Sequence, residues 1–592
     1  MTAQAACSAS ASLSQCQVRS DGLIAWLEHA PDAEGKQIFC YFSQGTVVRL
    51  LSSGVSIRST VNEYGARAWC FAGEGIIYIA EASQQLHYWS PFNGDAPQPF
   101  AGQTGARYSE PTMMDDGRVI AIEEWRGVHR LVVFDPQGTR QVLREGEDFY
   151  AGLTVGPGER VGWVSWQHPQ QPWTQTSLWW ARLDAHGLVD VECVRQPASA
   201  VQMPSFDAEG GLLFLDDKDG FWQLYRYEGH ALQVVRQANA DLANAPWQTG
   251  HLLYGVDCHQ QWWTVHFEAT GVTLWCNDKR CDLPAVTQIR ELVVHQDQLV
   301  MIHAGPHCTA QISRFQQGQW QPLWTVPLPP DARLTEAPTH KVFQVEGQSV
   351  SGYWYAATGV NGPAPLLINL HGGPTAACYP VYNPLFQFWN DHGFSVFDLN
   401  YRGSSNQGRE YRMQLEHRWG ILDVEDIYAS IDHLITQDLV DRDRIFIRGR
   451  SSGGYSVLMA LLDSDAFCAA GVYFGVSDPA RLHTHTHKFE SHYLPWLLGP
   501  MDDSDPVYQA RVPARRAAHI RTPVIFFQGL QDKVVTPEQT ASMAAAIQAI
   551  GGHAETLYFA DEGHGFRHRQ NNVSALLAEL AFYRAAMAGQ CR

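Results

Sequence analysis

Three things are scarce in this chain: basic residues, long apolar runs and organised cysteines. Its 42 Lys+Arg face 61 Asp+Glu, a formal charge of −19, which argues against nucleic acid or an anionic membrane as partner. No apolar run approaches the roughly 18 residues that suggest a membrane span. The 12 cysteines are scattered without zinc-ligand spacing, Cys276 and Cys281 being the nearest pair, so reduced thiols are expected. The opening residues, Met1 to Ser10, are small and polar and lack the basic and apolar regions of a secretory signal. A cytoplasmic protein is expected.

What is present divides into two textures. The 592 residues exceed one ordinary core, so two large domains are the economical arrangement. Seven short apolar patterns punctuate the first half: Gly22 to Trp26, Gly75 to Ile79, Gly117 to Ala121, Arg160 to Val164, Gly211 to Leu215, His251 to Gly255 and Gln298 to Ile302. Their spacing of roughly 40 to 50 residues is the period of a four-stranded propeller blade. From about Val342 helical patterns appear between strands, as at Gly420 to Tyr428, Gly454 to Ala460, Pro537 to Ala544 and Ser574 to Leu580. Alternating strand and helix predicts a parallel sheet covered on both faces. The predicted fold is a seven-bladed β-propeller over residues 21–326 followed by an α/β-hydrolase domain over 327–592. Residues 1–20 form an amino-terminal segment expected to pack on the hydrolase domain, and Pro327 to Pro330 mark the boundary.

Gly449-Arg450-Ser451-Ser452-Gly453-Gly454-Tyr455 follows the apolar run Arg444 to Ile447 and has the form of a nucleophile elbow, a serine on a tight strand-to-helix turn. This fold class orders its catalytic groups as Ser, then Asp or Glu, then His, on loops after later strands. Thr522 to Phe527 reads as a strand running into Asp532, and Glu555 to Phe559 as another leading into His564. Ser451 is therefore the expected nucleophile, His564 its base and Asp532 the group that orients the imidazole. Ser452, Asp561, His553 and His568 are neighbouring alternatives. Only Ser451 holds the centre of G-x-S-x-G. An oxyanion hole takes one backbone N–H from the residue after the nucleophile, Ser452, and a second from an earlier strand end. Pro365 to Leu370 leads into His371-Gly372-Gly373-Pro374, which makes Gly373 the expected second donor.

These motifs, with Arg58 to Gly65, Trp166 to Trp173, Asn400-Tyr401-Arg402-Gly403-Ser404, Thr486 to Ser491 and Glu562 to Phe566, resemble the prolyl oligopeptidase family of serine peptidases, particularly its acylaminoacyl-peptidase and dipeptidyl-aminopeptidase-like members. The resemblance implies a propeller capping the hydrolase site, so that short or unfolded peptides reach Ser451. It also implies a peptide or acyl-amide substrate and no cofactor. A carboxylate from the propeller would bind a free substrate amine, with Glu63 or the pair Glu123-Glu124 as candidates. His483, His485 and His487 alternate and would share one face of an extended strand, yet no acidic or cysteine ligand completes a metal set, so none is expected. Trp496 is a candidate wall of the substrate cavity. The same triad handles esters and can pass an acyl group to an amine, so an esterase or acyltransferase is the alternative reading. Oligomeric state stays open, a homo-oligomer included.

Overall fold

A computed structural model describes residues 1–590 apart from 9–10, 30–32, 34, 197, 284, 329–330, 333–335 and 463. Pro329 and Pro330 of the expected boundary lie outside the described residues. Seven four-stranded antiparallel sheets follow one another along the chain, and one eight-stranded sheet completes the molecule. The first blade runs from Ser12–Val18 to Thr46–Arg49 and the seventh from Gln288–His295 to Gln319–Thr325. Six of the expected strands fall on the second strand of their blades, among them Ile24–His29, Gly75–Ile79 and Leu212–Asp216. These strands are buried on both faces, which is why they read as continuous apolar runs.

Two expectations differ from the structure. The first blade begins at Ser12, ahead of residue 21, because Ser12–Val18 pairs with Ile24–His29 through a register shift between Ser14 and Gln17. In the sixth blade the apolar run at His251 falls on a first strand that starts only at Tyr254, and the second strand is Trp262–Glu268. The ring closes without an exchanged strand. Leu13, Trp26, Ile38, Val300, Ile302 and Ile312 share one core between first and last blades. Glu291 adds a clasp, its carboxylate accepting the N–H of Gln15 at 2.7 Å and of Cys16 at 2.8 Å.

The hydrolase sheet is built from β1 (Thr339–Val345), β2 (Gln348–Tyr355), β3 (Ala364–Leu370), β4 (Ser395–Asn400), β5 (Val440–Arg450), β6 (Ala469–Tyr473), β7 (Val524–Gly529) and β8 (Ala554–Phe559). Its order is β1-β2-β4-β3-β5-β6-β7-β8. The strands from β4 and β3 through β8 pair in parallel. Helices Leu422–Thr436, Ser452–Leu461, Pro537–Ala549 and Arg569–Met587 cover its faces. The amino-terminal helix Ala3–Ser8 buries Ala3, Ala6 and Cys7 in a core with Phe386, Trp389 and Leu576 of this domain.

The propeller sits on the carboxyl ends of these strands, where open α/β sheets hold their sites. A buried charge cluster fastens it there: Asp217 of the propeller pairs with Arg409 at 3.0 Å and with Arg412, both side chains of the second pair being fully buried. Removing one partner of a buried pair strands the other charge. Asp217→Asn is expected to lower unfolding stability by about 3–5 kcal/mol, read as a shift in the urea midpoint; a loss below about 1 kcal/mol, the range of an exposed pair, would show that the cluster does not carry the docking.

Candidate active site

β5 delivers the chain into Ser451, whose φ of 53° and ψ of −119° lie where non-glycine residues are strained. The turn is tight because Gly453 packs its backbone on the end of β3: a Cβ there would stand 2.5 Å from the Leu370 carbonyl and 2.7 Å from that of His371. Ser451 N–H is spent on the Tyr473 carbonyl at 3.0 Å. The next residue, Ser452, opens the helix Ser452–Leu461, where the first N–H groups have no acceptor within the helix.

Three side chains meet at this turn. His564 Nε2 lies 2.9 Å from Ser451 Oγ, and its Nδ1 lies 2.8 Å from Asp532 Oδ2. Asp532 is buried at the end of β7, and its other oxygen accepts the N–H of Val534 and of Val535, each at 2.9 Å. The loop carrying His564 is pinned by buried Glu562, which accepts the N–H of Arg567 at 2.8 Å and of His568 at 2.9 Å. Burial raises the Glu562 pKa. The ring of Phe474 meets the imidazole edge-on, 4.8 Å between centroids. The alternatives face elsewhere: Asp561 accepts Asn571 at 3.0 Å and stands 3.7 Å from His568, and His553 contacts Glu555 at 3.1 Å.

Gly372 and Gly373 line the same cavity as Ser451. Two residues from the Asn400 to Ser404 motif hold their loop. Tyr401 Oη reaches the carbonyls of His371 at 3.2 Å and Pro374 at 3.3 Å, while His371 Nε2 lies 2.8 Å from Ser404 Oγ. The rings of His371 and Tyr401 stack at 4.3 Å, and burial lowers the His371 pKa to about 4, so the ring is neutral. Sequence had given this motif no role of its own. A hydrogen bond of this kind contributes about 1 kcal/mol. Tyr401→Phe is therefore expected to lower kcat about five- to tenfold with KM little changed; an effect confined to KM would show that the hydroxyl does not serve the oxyanion loop.

Both domains enclose a cavity of about 650 Å3. Ser451, His564 and Gly373 line it from the hydrolase side, and Tyr64, Trp247, Arg290 and Glu291 from the propeller. A second cavity of about 740 Å3 occupies the propeller channel and shares Gln248, His251 and Glu291 with the first. Sequence missed the propeller contributors. Trp247 stands where Trp496 was expected; Trp496 instead stacks on Tyr493 at 5.8 Å.

Glu63 is not among the residues lining this chamber. Its carboxylate pairs with Arg107 at 2.5 Å, and Arg107 also holds Glu124. Glu123 is buried against Arg140 at 2.5 Å. Each expected amine anchor is thus neutralised by an arginine. His483 and His485 lie on a helix, Pro479–His485, not on an extended strand, and His487 is half-buried with its ring 5.5 Å from that of Tyr64. Among the described residues no group of three His, Cys, Asp or Glu could hold a metal ion, and no helix is long and apolar enough to cross a membrane.

Residues 380–590 match the prolyl oligopeptidase family. The chain is 28% identical over 218 residues to dipeptidyl aminopeptidase BIII of Pseudoxanthomonas mexicana, covering 36% of this chain and 31% of that protein. It is 24% identical over 224 residues to acylamino-acid-releasing enzyme 1 of Oryza sativa subsp. japonica, covering 36% and 29%. The matches thus span about a third of these curated relatives. Along nearly its whole length the fold is shared with a Mycobacterium tuberculosis puromycin-hydrolyzing peptidase, with a TM-score of 0.91, 28% identity, and 98% and 95% of the two chains covered. A Pyrococcus horikoshii acylaminoacyl peptidase shares the fold alone, at a TM-score of 0.75 and 15% identity over 98% and 97%. With a serine elbow after β5, an aspartate after β7 and a histidine after β8, residues 380–590 are the part of the chain that matches the prolyl oligopeptidase family.

Proposed function

We propose that this protein is a serine exopeptidase that hydrolyses short peptides through an acyl-enzyme, releasing amino-terminal or acylated residues. One observation carries the reading: the relay of 2.9 Å and 2.8 Å from Ser451 through His564 to Asp532 opens into a chamber roofed by the propeller. A serine hydroxyl is a weak nucleophile until a neighbouring imidazole takes its proton. His564 Nε2 accepts it as Ser451 Oγ attacks the scissile carbonyl, and returns it to the departing amine. Asp532, fixed by two backbone donors, stays ionised and stabilises the imidazolium. The N–H groups of Gly373 and Ser452 receive the charge that develops on the carbonyl oxygen; losing one such donor costs about 100- to 1000-fold in turnover. Water then repeats the sequence on the acyl-enzyme. The names of the relatives, dipeptidyl aminopeptidase, acylamino-acid-releasing enzyme and puromycin-hydrolyzing peptidase, support amide bonds near a chain end as the substrate class.

The propeller, closing near residue 326, acts in this reading as the filter that admits short chains. A cytoplasmic setting is the reading we favour, since the described cysteines form no disulfide, as expected in a reducing compartment. Glu63 serves the site from behind, its pair with Arg107 bracing the turn that presents Tyr64 to the chamber. Glu63→Gln is expected to weaken free-amine and acylated substrates by the same factor, about two- to fivefold. A loss confined to free-amine substrates would make it the amine anchor instead.

Turnover of aminoacyl, acyl-aminoacyl and simple ester chromogenic substrates tests the whole reading. Cleavage of the amide substrates supports a peptidase. Turnover restricted to esters would turn the assignment to an esterase or acyltransferase.

A further inference from the structure

Two guanidinium groups open into the chamber of Ser451 without a carboxylate of their own. Arg450 immediately precedes the nucleophile, and Arg290 projects from the strand Gln288–His295 of the seventh blade. Among the described residues neither makes an ion pair. The carboxylates that act on them are committed elsewhere. Glu579 accepts Tyr473 Oη at 2.7 Å and Tyr583 Oη at 2.9 Å, and stands 3.2 Å from Arg448. Glu291 spends both oxygens on the ring-closing N–H groups of Gln15 and Cys16. Arg450 is left with the face of Tyr473, 5.1 Å from its centroid, and Arg290 with a 3.3 Å contact to Gln288. Both residues are exposed where they line the chamber, which leaves their guanidinium groups accessible to a ligand. An accessible guanidinium with no carboxylate of its own is free to pair with an anionic group of a ligand.

Arg450 stands on the flank where the leaving group departs. The Tyr473 ring beneath it contacts Phe566 at 6.1 Å, Phe566 contacts Phe474 at 5.5 Å, and Phe474 meets His564 at 4.8 Å. His564 is the group that protonates the departing amine, so the fragment carrying that amine passes beside this aromatic row. A guanidinium fork matches a carboxylate bidentately. Each residue of an extended peptide spans roughly 3.3–3.6 Å, so a fragment of one or two residues ends roughly 4 to 7 Å beyond the cut bond, within reach of a side chain rooted next to Ser451.

We propose that Arg450, together with Arg290, binds the free α-carboxylate of the departing fragment, so that the enzyme favours peptides ending one or two residues past the scissile bond. The proposal rests on Ser451 acting as the acyl-transfer nucleophile.

The test compares trialanine with trialanine amide, and alanine p-nitroanilide as a third substrate, for the wild type, Arg450→Gln and Arg290→Gln. The wild type is expected to favour the free acid over the amide by about 10- to 100-fold in kcat/KM, the factor of a charge-assisted pair. That ratio should collapse toward one in Arg450→Gln and shrink in Arg290→Gln. Glycylglycine should also inhibit wild-type anilide turnover more strongly than glycinamide derivatives of the same length, which needs no variant to fold. Equal kcat/KM on acid and amide, or a ratio unchanged in both variants, overturns the inference while leaving the hydrolase reading intact. Failure to turn over any of the three substrates removes the reading beneath it.

Discussion

Ser451→Ala is expected to lower kcat/KM on every amide substrate on the order of 10^5- to 10^6-fold, the scale seen when the nucleophile of a relay that works as a unit is removed. The size follows from what remains. His564 keeps its bond to Asp532, and the N–H donors of Gly373 and Ser452 keep their places, but no oxygen is left to form the acyl-enzyme. Residual catalysis by the oxyanion donors and substrate binding alone is about 10^3- to 10^4-fold over water. Folding should survive, because a half-buried hydroxyl whose one contact is 2.9 Å from His564 Nε2 leaves no large cavity. The same substitution should abolish labelling by a fluorophosphonate. Labelling that persists unchanged would mean that the reactive serine lies elsewhere, with Ser452 excluded as a ready substitute by its burial at 4% exposure.

The catalytic half was legible because its signals are local. Elbow, acid and base each occupy a loop after an apolar strand, and the chain order of Ser451, Asp532 and His564 restricts the fold strongly. The propeller half was legible as a count of buried second strands. What faces the site from the propeller was not legible, for physical reasons. Periodicity reports that a strand is buried, not which end of the ring meets the hydrolase domain, so Trp247, Arg290 and Glu291 carry no mark in the sequence. Ser12–Val18 escaped notice because its bulge, with Gln15 at φ 55°, turns the N–H groups of Gln15 and Cys16 out of the ladder and toward Glu291, breaking the alternation that identifies a strand. Glu63 has a partner that the sequence could not show. A carboxylate in a family-like motif looks available until a distant arginine, here Arg107, is found beside it. Arg450 was in plain view inside the elbow, where its neighbours' demand for small residues drew attention from it.

Asp532→Asn should be nearly as damaging as loss of the nucleophile, and for a reason written in its hydrogen bonds. One oxygen of Asp532 accepts the N–H of Val534 and Val535, each at 2.9 Å. An asparagine must keep its carbonyl oxygen toward those two donors, since the reverse orientation would set an NH2 group against two N–H groups. Its amide nitrogen then faces His564 Nδ1, where an acceptor stood 2.8 Å away. The imidazole can meet that donor only as the tautomer whose proton is on Nε2. That proton points at Ser451 Oγ, and the ring can no longer take a proton from the nucleophile. kcat is expected to fall on the order of 10^4-fold, with KM changed by less than about threefold. The unfolding midpoint should move little, because size and backbone contacts are conserved. Retention of kcat within tenfold would show that the imidazole is held in its working tautomer by something other than Asp532, and the division of roles among the three side chains would have to be redrawn.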